Sequence, residues 1–132
     1  MSEIINPQDA ELEEIILGSC LIESKAITLI ADILRPEAFY NEKNLEIYAT
    51  LQSMYRNGQK IDIITVKEEL ARRGKLEFIG GPYTLAHISG RVASSAHLEY
   101  HARILKQKYI RRETILGFHK LLALAADGTP DL

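Results

Sequence analysis

Closely spaced helix-ending signals constrain this chain more than any other feature. From Asn57 to Gly81 the sequence reads NGQKIDIITVKEELARRGKLEFIGG. Glycine closes a helical pattern at Gly58 and again at Gly74, because glycine readily adopts the left-handed conformation that ends helices. A short helix must therefore fit between these two glycines, with others on either side.

Capping residues mark the starts of these helices. Asp62 and Thr65 can each cap the helix between the two glycines, and Thr65 with Glu68 fits a capping box. Pro36 ends the second helix, because the residue before a proline is pushed out of the helical region. Side-chain acceptors or prolines predict the other helix starts, which are Asn6-Pro7, Ser24, Asn41 or Asn44, and Gly81-Pro82.

A long helix is predicted after Ser95. Residues 96–126 contain no proline and one glycine, Gly117, so a helix of about 30 residues would be about 45 Å long. This length exceeds what a core of this size covers, so part of the helix must project, pack on a partner or bend near Gly117. One apolar stripe comes first and a denser apolar stretch follows; the stripe is Leu98, Ala102, Leu105 and Tyr109, and the stretch is Ile115, Phe118, Leu121, Leu122 and Ala125.

The dense apolar stretch is an interface candidate, because large exposed apolar patches usually mark binding sites. The alternative is a following antiparallel helix that covers it, and the turn signal at Asp127–Pro130 is consistent with such a hairpin. No strand alternation persists beyond a few residues. The predicted fold is therefore all-α, with a compact head of about five to six helices in residues 1–93 and, in residues 94–132, a long helix that forms the first arm of a hairpin.

Charge is unevenly distributed along the 132 residues. Residues 1–50 hold ten acidic and three basic side chains, and residues 51–132 hold eight acidic and thirteen basic ones. This asymmetry favours association between unlike surfaces, although solvated helix faces explain it equally well. The basic long helix, with Arg111 and Arg112, leaves a nucleic-acid-binding domain as the alternative function.

Motifs for catalysis, cofactors or metals are not found. No G-x-x-x-x-G-K-[ST] phosphate loop occurs, so neither catalytic nor cofactor-binding residues are predicted. His97 and His101 share a helix face, but no convincing third metal ligand is near them in sequence. The single cysteine, Cys20, is interpreted as a small core residue. The acidic N-terminus is not a secretory signal, and a reducing compartment is expected.

The ordered combination of short signals resembles the N-terminal domain of the bacterial replicative DNA helicase of the DnaB type. The resemblance covers about residues 7–122. Thr84 stands where that family often has tyrosine, although Tyr83 is adjacent. The signals are Pro7…Glu11-x-Glu13…Leu17-Gly18, Leu34-x-Pro36-Glu37-x-Phe39-Tyr40, Ile47-Tyr48, Leu51, Gly58, Ile61-Asp62, Thr65, Leu70, Gly74, Leu76, Ile79-Gly80-Gly81, Leu85, Tyr100, Ala102-Arg103-Ile104 and Arg111-Arg112.

This resemblance implies a module for assembly and interaction in DNA replication. In the family the domain forms dimers, three dimers build a collar on the hexameric ring, and the collar recruits the C-terminal domain of a DnaG-type primase. A helicase loader is a further candidate partner. The implied partner-binding residues, for primase or for another subunit, are Tyr83, Thr84, Arg111, Ile115, Phe118, Leu121 and Leu122.

The resemblance also implies what this chain lacks. The ATPase domain is expected beyond residue 132, so ATP and Mg²⁺ belong to the full-length helicase and no cofactor is expected in residues 1–132. DNA would be contacted only indirectly, through that full-length helicase. The expected location is the bacterial cytoplasm.

Overall fold

Five α-helices and two 3₁₀ turns make up the described part of the chain. The computed structural model describes residues 8–128, and no strand occurs among them. This confirms the all-α prediction. In chain order the elements are α1 (Ala10–Ile22), a first 3₁₀ turn (Ala26–Leu29), a second 3₁₀ turn (Pro36–Ala38), α2 (Glu42–Arg56), α3 (Ile63–Arg72), α4 (Pro82–Gly90) and α5 (Leu98–Asp127).

The glycine signals end the helices as predicted. Gly58 follows α2 and Gly74 follows α3, each with a φ of +69°. In both places the residue after the glycine donates its backbone N–H to a carbonyl five residues earlier in the helix. Gln59 donates to Met54 at 2.9 Å, and Lys75 donates to Leu70 at 2.8 Å. This pairing satisfies carbonyls that the end of a helix would otherwise leave without donors.

The start of α3 corrects the predicted capping box. Asp62 is the N-cap, and its carboxylate accepts a hydrogen bond from the Thr65 backbone N–H at 2.8 Å. The Thr65 hydroxyl accepts one in return from the Asp62 N–H at 2.9 Å. The predicted box between Thr65 and Glu68 is therefore wrong, because Thr65 already lies inside the helix and acts as the second member of the box.

The helix predicted to begin at Ser24 is also wrong, since only the 3₁₀ turn Ala26–Leu29 forms there and no side chain caps it. Branched residues crowd this segment and lower its helix propensity. Two buried side chains of α2 stabilise the turns that follow: Tyr48 donates to the Leu34 carbonyl at 2.9 Å, and Gln52 donates to the Ala31 carbonyl at 3.1 Å.

The start of α2 agrees with the first of its two predicted caps. The Asn41 side chain accepts hydrogen bonds from the N–H groups of Lys43 and Asn44. The predicted helix start at Asn6-Pro7 lies outside the described residues, and within them Asp9 caps α1 by accepting from the Leu12 N–H at 3.0 Å.

Helix α1 is the centre of the head and packs against α2, α4 and α5. At Gly18 the backbone of α1 comes close to α4, because a Cβ on Gly18 would lie 2.6 Å from the Ile88 carbonyl oxygen and 2.6 Å from Val92 Cγ2. A larger residue at this position would therefore force the two segments apart. Cys20 is fully buried, as predicted for a core residue, and its burial raises the pKa of the thiol to about 12. None of the helices described in residues 8–128 is both long and apolar enough to cross a bilayer.

Candidate interaction surface

Helix α5 changes character at Arg112. Its buried residues are Leu98, Ala102, Leu105 and Arg112, so the half before Arg112 is docked on the head. From Glu113 to Asp127 every described side chain is exposed or half-buried. At 1.5 Å per residue this second half, which we call the tail, extends for about 22 Å. Of the alternatives left open for the long helix, the structure therefore shows a projecting part.

Arg112 holds the last docked turn of α5. One of its guanidinium nitrogens donates to the Ala38 carbonyl at 3.1 Å. The guanidinium also lies over two aromatic rings, 5.3 Å from the centroid of Tyr40 and 5.6 Å from that of Tyr109. A buried charge is stable only when such partners replace water. The sequence predicted a basic face of the long helix that includes Arg111 and Arg112, and the structure corrects this by burying Arg112.

The loop that receives Arg112 is also held from α1. Glu13 is fully buried, and its carboxylate accepts from the backbone N–H of Tyr40 at 2.7 Å and of Asn41 at 3.3 Å. The Asn44 side-chain amide donates to the same carboxylate at 3.0 Å. Through these contacts Glu13 fixes the entry to α2 from α1.

The tail carries large apolar side chains around its whole circumference. Leu116 continues the docked line of α5, yet Phe118 comes two residues later and so lies about 200° further round the helix. A helix that is apolar on all sides is normally buried. The exposed fractions are 47% for Leu116, 63% for Phe118, 62% for Leu121, 67% for Leu122 and 57% for Leu124. More than one covering surface would be needed to bury them.

Four of the predicted partner-binding residues lie on this tail. Ile115 is half-buried, and Phe118, Leu121 and Leu122 are exposed. Arg111 is exposed beside the buried Arg112, at the base of the tail. The structure therefore groups five of the seven predicted residues along one projecting helix.

The remaining two predicted residues lie on the head, on α4. Tyr83 is 78% exposed, and its ring stacks on His87 with centroids 6.1 Å apart. Thr84 is half-buried and borders an open cleft of about 200 Å³ that reaches Glu14 on α1 and Lys43 on α2. Since α4 packs mainly on α1 and α3, Tyr83 and Thr84 form a surface of their own.

Two histidines lie close together at the start of α5, His97 at its N-cap and His101 within it. The His97 and His101 rings lie edge to face, 6.3 Å apart. Within residues 8–128 no cluster of three or more His, Cys, Asp or Glu side chains is placed to hold a metal ion.

Comparison with known proteins identifies the fold. The family described as the DnaB-like helicase N terminal domain matches residues 5–107. The replicative DNA helicase DnaB of Rhodothermus marinus is 43% identical over 108 residues, which are 82% of this chain and 12% of that protein. The helicase DnaB of Geobacillus stearothermophilus is 34% identical over 127 residues, which are 96% of this chain and 27% of that protein. This chain thus spans only about an eighth to a quarter of these relatives.

Solved structures agree with the sequence match. The N-terminal domain of DnaB helicase from Mycobacterium tuberculosis superposes with a TM-score of 0.88 at 30% identity, over 92% of this chain and 88% of that one. A DnaB-like replicative helicase, studied with its interactions with primase, superposes with a TM-score of 0.76 at 29% identity, over 87% of this chain and 27% of that one. By family match, sequence identity and fold, this chain belongs to the DnaB-like helicase N-terminal domains.

Proposed function

We propose that this chain is the assembly and primase-recruiting module of a replicative DNA helicase. The observation that carries the proposal is the tail of α5, a projecting helix with exposed leucines and a phenylalanine on several faces. Such a surface is suited to protein partners, because burying apolar side chains is the main favourable term in protein association.

Two kinds of partner could share the apolar surface of the tail, since more than one covering surface is needed to bury it. One is a second copy of the chain, packed helix against helix in a dimer, and three such dimers would form the collar of a hexamer. The other is the C-terminal helical domain of a DnaG-type primase, seated on the tail and on Tyr83 and Thr84. The relative that was studied with primase supports this assignment, and a helicase loader is a further candidate for the same surfaces.

In this proposal the chain contributes binding and not catalysis. ATP, Mg²⁺ and DNA translocation would belong to the rest of a full-length helicase, in the bacterial cytoplasm, and DNA would be contacted there and not by this module.

Direct nucleic-acid binding by α5 is the competing function. Its support weakens because Arg112 is buried, and because Arg103 faces Glu99 at 3.9 Å on the same helix. Besides Arg103, the exposed cations on α5 are Lys106, Arg111 and Lys120, fewer than the roughly 6–10 phosphate contacts of a protein whose DNA affinity depends steeply on salt.

Calorimetric titration with the C-terminal helical domain of the cognate primase tests the proposal at low and high salt. We expect saturable binding that depends weakly on salt, because apolar burial is not screened by ions. Leu121→Asp should weaken binding by about 30-fold, the loss of roughly 2 kcal/mol that is typical of a hot-spot residue. Ile115→Asp should act in the same direction.

His119→Asp is the matched control, since it places the same charge on an exposed position of the same tail. We expect it to leave primase binding nearly unchanged. Circular dichroism should show that all three variants keep their helicity, and unfolding by Leu121→Asp would show that this residue belongs to a core. Lack of primase binding together with steeply salt-dependent binding of single-stranded DNA would contradict the proposal and favour the competing function.

A further inference from the structure

We propose that Arg112 is a positioning residue that sets the direction in which the tail leaves the head. Its significance for partner binding rests on the proposed function, but the inference itself concerns the geometry of the chain alone. It follows from three observations: where docking ends on α5, what Arg112 contacts, and how that contact is held from behind.

The first observation is that Arg112 extends the docked length of α5. The buried residues run from Leu98 through Ala102 and Leu105 to Arg112. Before Arg112, Tyr109 is half-buried and packs against the core, with its ring beneath the same guanidinium. With Arg112 docked, the helix is held over about 21 Å, and without it over about 16 Å, from Leu98 to Tyr109.

The second observation is that Arg112 contacts a loop and not another helix. The carbonyl of Ala38 accepts its hydrogen bond, and Tyr40 provides the aromatic face. A planar guanidinium can donate in its plane while its face lies on a ring, a geometry that the ammonium of lysine does not reproduce. The contact therefore fixes the last docked turn in both position and orientation.

The third observation is that this loop is held firmly on its other side. The buried Glu13 carboxylate accepts from the backbone N–H groups of Tyr40 and Asn41. Phe39, between the two contacts, is buried and stacks on Tyr48 at a centroid distance of 4.7 Å. The Ala38–Asn41 segment therefore connects α1 with α5. Glu13 binds it from α1, and Arg112 binds it from α5.

A lever estimate gives the size of the effect. If each contact allows the same small sideways displacement, the range of angles open to a rigid helix grows as its docked length becomes shorter. The held length drops from about 21 Å to about 16 Å, and the free length to Asp127 grows from about 22 Å to about 27 Å. The tip of the tail should then move over a range about one and a half times wider.

Double electron–electron resonance on the whole chain tests this inference. Nitroxide labels would be placed on α3 through Ala71→Cys and on the tail through Ala123→Cys, both of which are exposed. The native Cys20 should stay unlabelled, because it is buried and its thiol pKa is about 12. An excess of unlabelled chain removes distances between molecules.

We expect a narrow distance distribution for the labelled parent and one about one and a half times wider for Arg112→Ala, with helicity retained by circular dichroism. Arg112→Lys should fall between them. The matched control is Arg111→Ala, which removes an exposed neighbour of the same charge and should leave the distribution unchanged. An unchanged width for Arg112→Ala, or equal widening by Arg111→Ala, would overturn the inference.

If Arg112→Ala unfolds the head, Tyr40→Leu decides the question. This change removes one aromatic face from Arg112 and leaves the Ala38 carbonyl and the Glu13 contacts to the backbone in place. Tyr40→Leu should widen the distance distribution, but by less than Arg112→Ala would. A Tyr40→Leu distribution as narrow as that of the parent would overturn the inference. Because no primase is present and the chain is measured at a concentration where ultracentrifugation shows it to be monomeric, the outcome is separate from that of the binding titration.

Discussion

Replacing Glu13 by glutamine should destabilise the head far more than the same replacement at its neighbour, Glu14. Both residues lie on α1 and change in the same way, so the helix dipole affects them similarly. They differ in their partners. Glu13 is fully buried among neutral donors, whereas Glu14 is about a quarter exposed and lies 2.6 Å from a guanidinium nitrogen of Arg91.

The expected magnitude follows from the donors around Glu13. Its carboxylate accepts three hydrogen bonds, from the N–H groups of Tyr40 and Asn41 and from the Asn44 amide. A glutamine keeps one acceptor oxygen and turns an NH₂ group towards at least one of these donors. Each donor left unsatisfied in a buried site costs about 1–3 kcal/mol, so Glu13→Gln should lose about 2–4 kcal/mol. Glu14→Gln loses a partly exposed ion pair, which is worth about 0–1 kcal/mol.

Urea unfolding followed by far-ultraviolet circular dichroism measures both values. With a slope of about 2 kcal/mol per molar urea, Glu13→Gln should lower the midpoint by about 1–2 M and Glu14→Gln by less than about 0.5 M. A Glu13 variant that is already partly unfolded without urea would agree with the upper end of the range. Equal shifts for the two variants would refute the reasoning, because they would mean that the buried hydrogen bonds contribute no more than the exposed ion pair.

Two further predictions concern the core and the helix glycines. Burial raises the pKa of Cys20 from 9.0 to about 12, so between these values the folded chain keeps a proton that the unfolded chain releases. Stability should then fall with rising pH by up to about 1.4 kcal/mol per pH unit, and urea midpoints at about pH 8 and about pH 10 should differ less in Cys20→Ala than in the parent. Gly18→Ala should destabilise by about 1–2 kcal/mol, because its Cβ would meet the Ile88 carbonyl and Val92 at 2.6 Å. By contrast, Gly117→Ala, with open space around it, should raise helicity and stability by up to about 1 kcal/mol; the same sign for both glycines in urea unfolding would contradict this account.

Local signals predicted the helix ends because the interactions that end helices are themselves local. Gly58 and Gly74 act through their own backbone conformation, and Asn41 caps through N–H groups two and three residues away. The same reasoning erred at Thr65, since two overlapping capping boxes fit the sequence and only packing decides which residue enters the helix first. At Ser24 a cap signal was outweighed by the branched residues that follow it.

The anchoring charges could not be predicted, because their partners are distant in sequence. Glu13 and Asn44 are 31 positions apart, and Arg112 and Ala38 are 74 positions apart. A charged residue on a helix is usually solvated, so a local reading assigns both Glu13 and Arg112 to the surface. The apolar tail was predicted because periodicity is local. The predicted stretch left out Leu116 and Leu124, which extend the apolar surface to other sides of the helix.

The two residues that the sequence reading misplaced act on the same short loop. Glu13 binds its backbone from α1, and Arg112 binds it from α5. The contacts from the tail to the head therefore run through Arg112 to the Ala38–Asn41 segment, and from that segment to Glu13 and the start of α2. The loop has few residues and no regular structure of its own between Phe39 and Asn41. Its conformation therefore depends on these two charged contacts and on the buried Phe39. If Arg112 sets the direction of the tail as proposed, a partner meets an apolar helix that is already oriented, which lowers the ordering cost of binding.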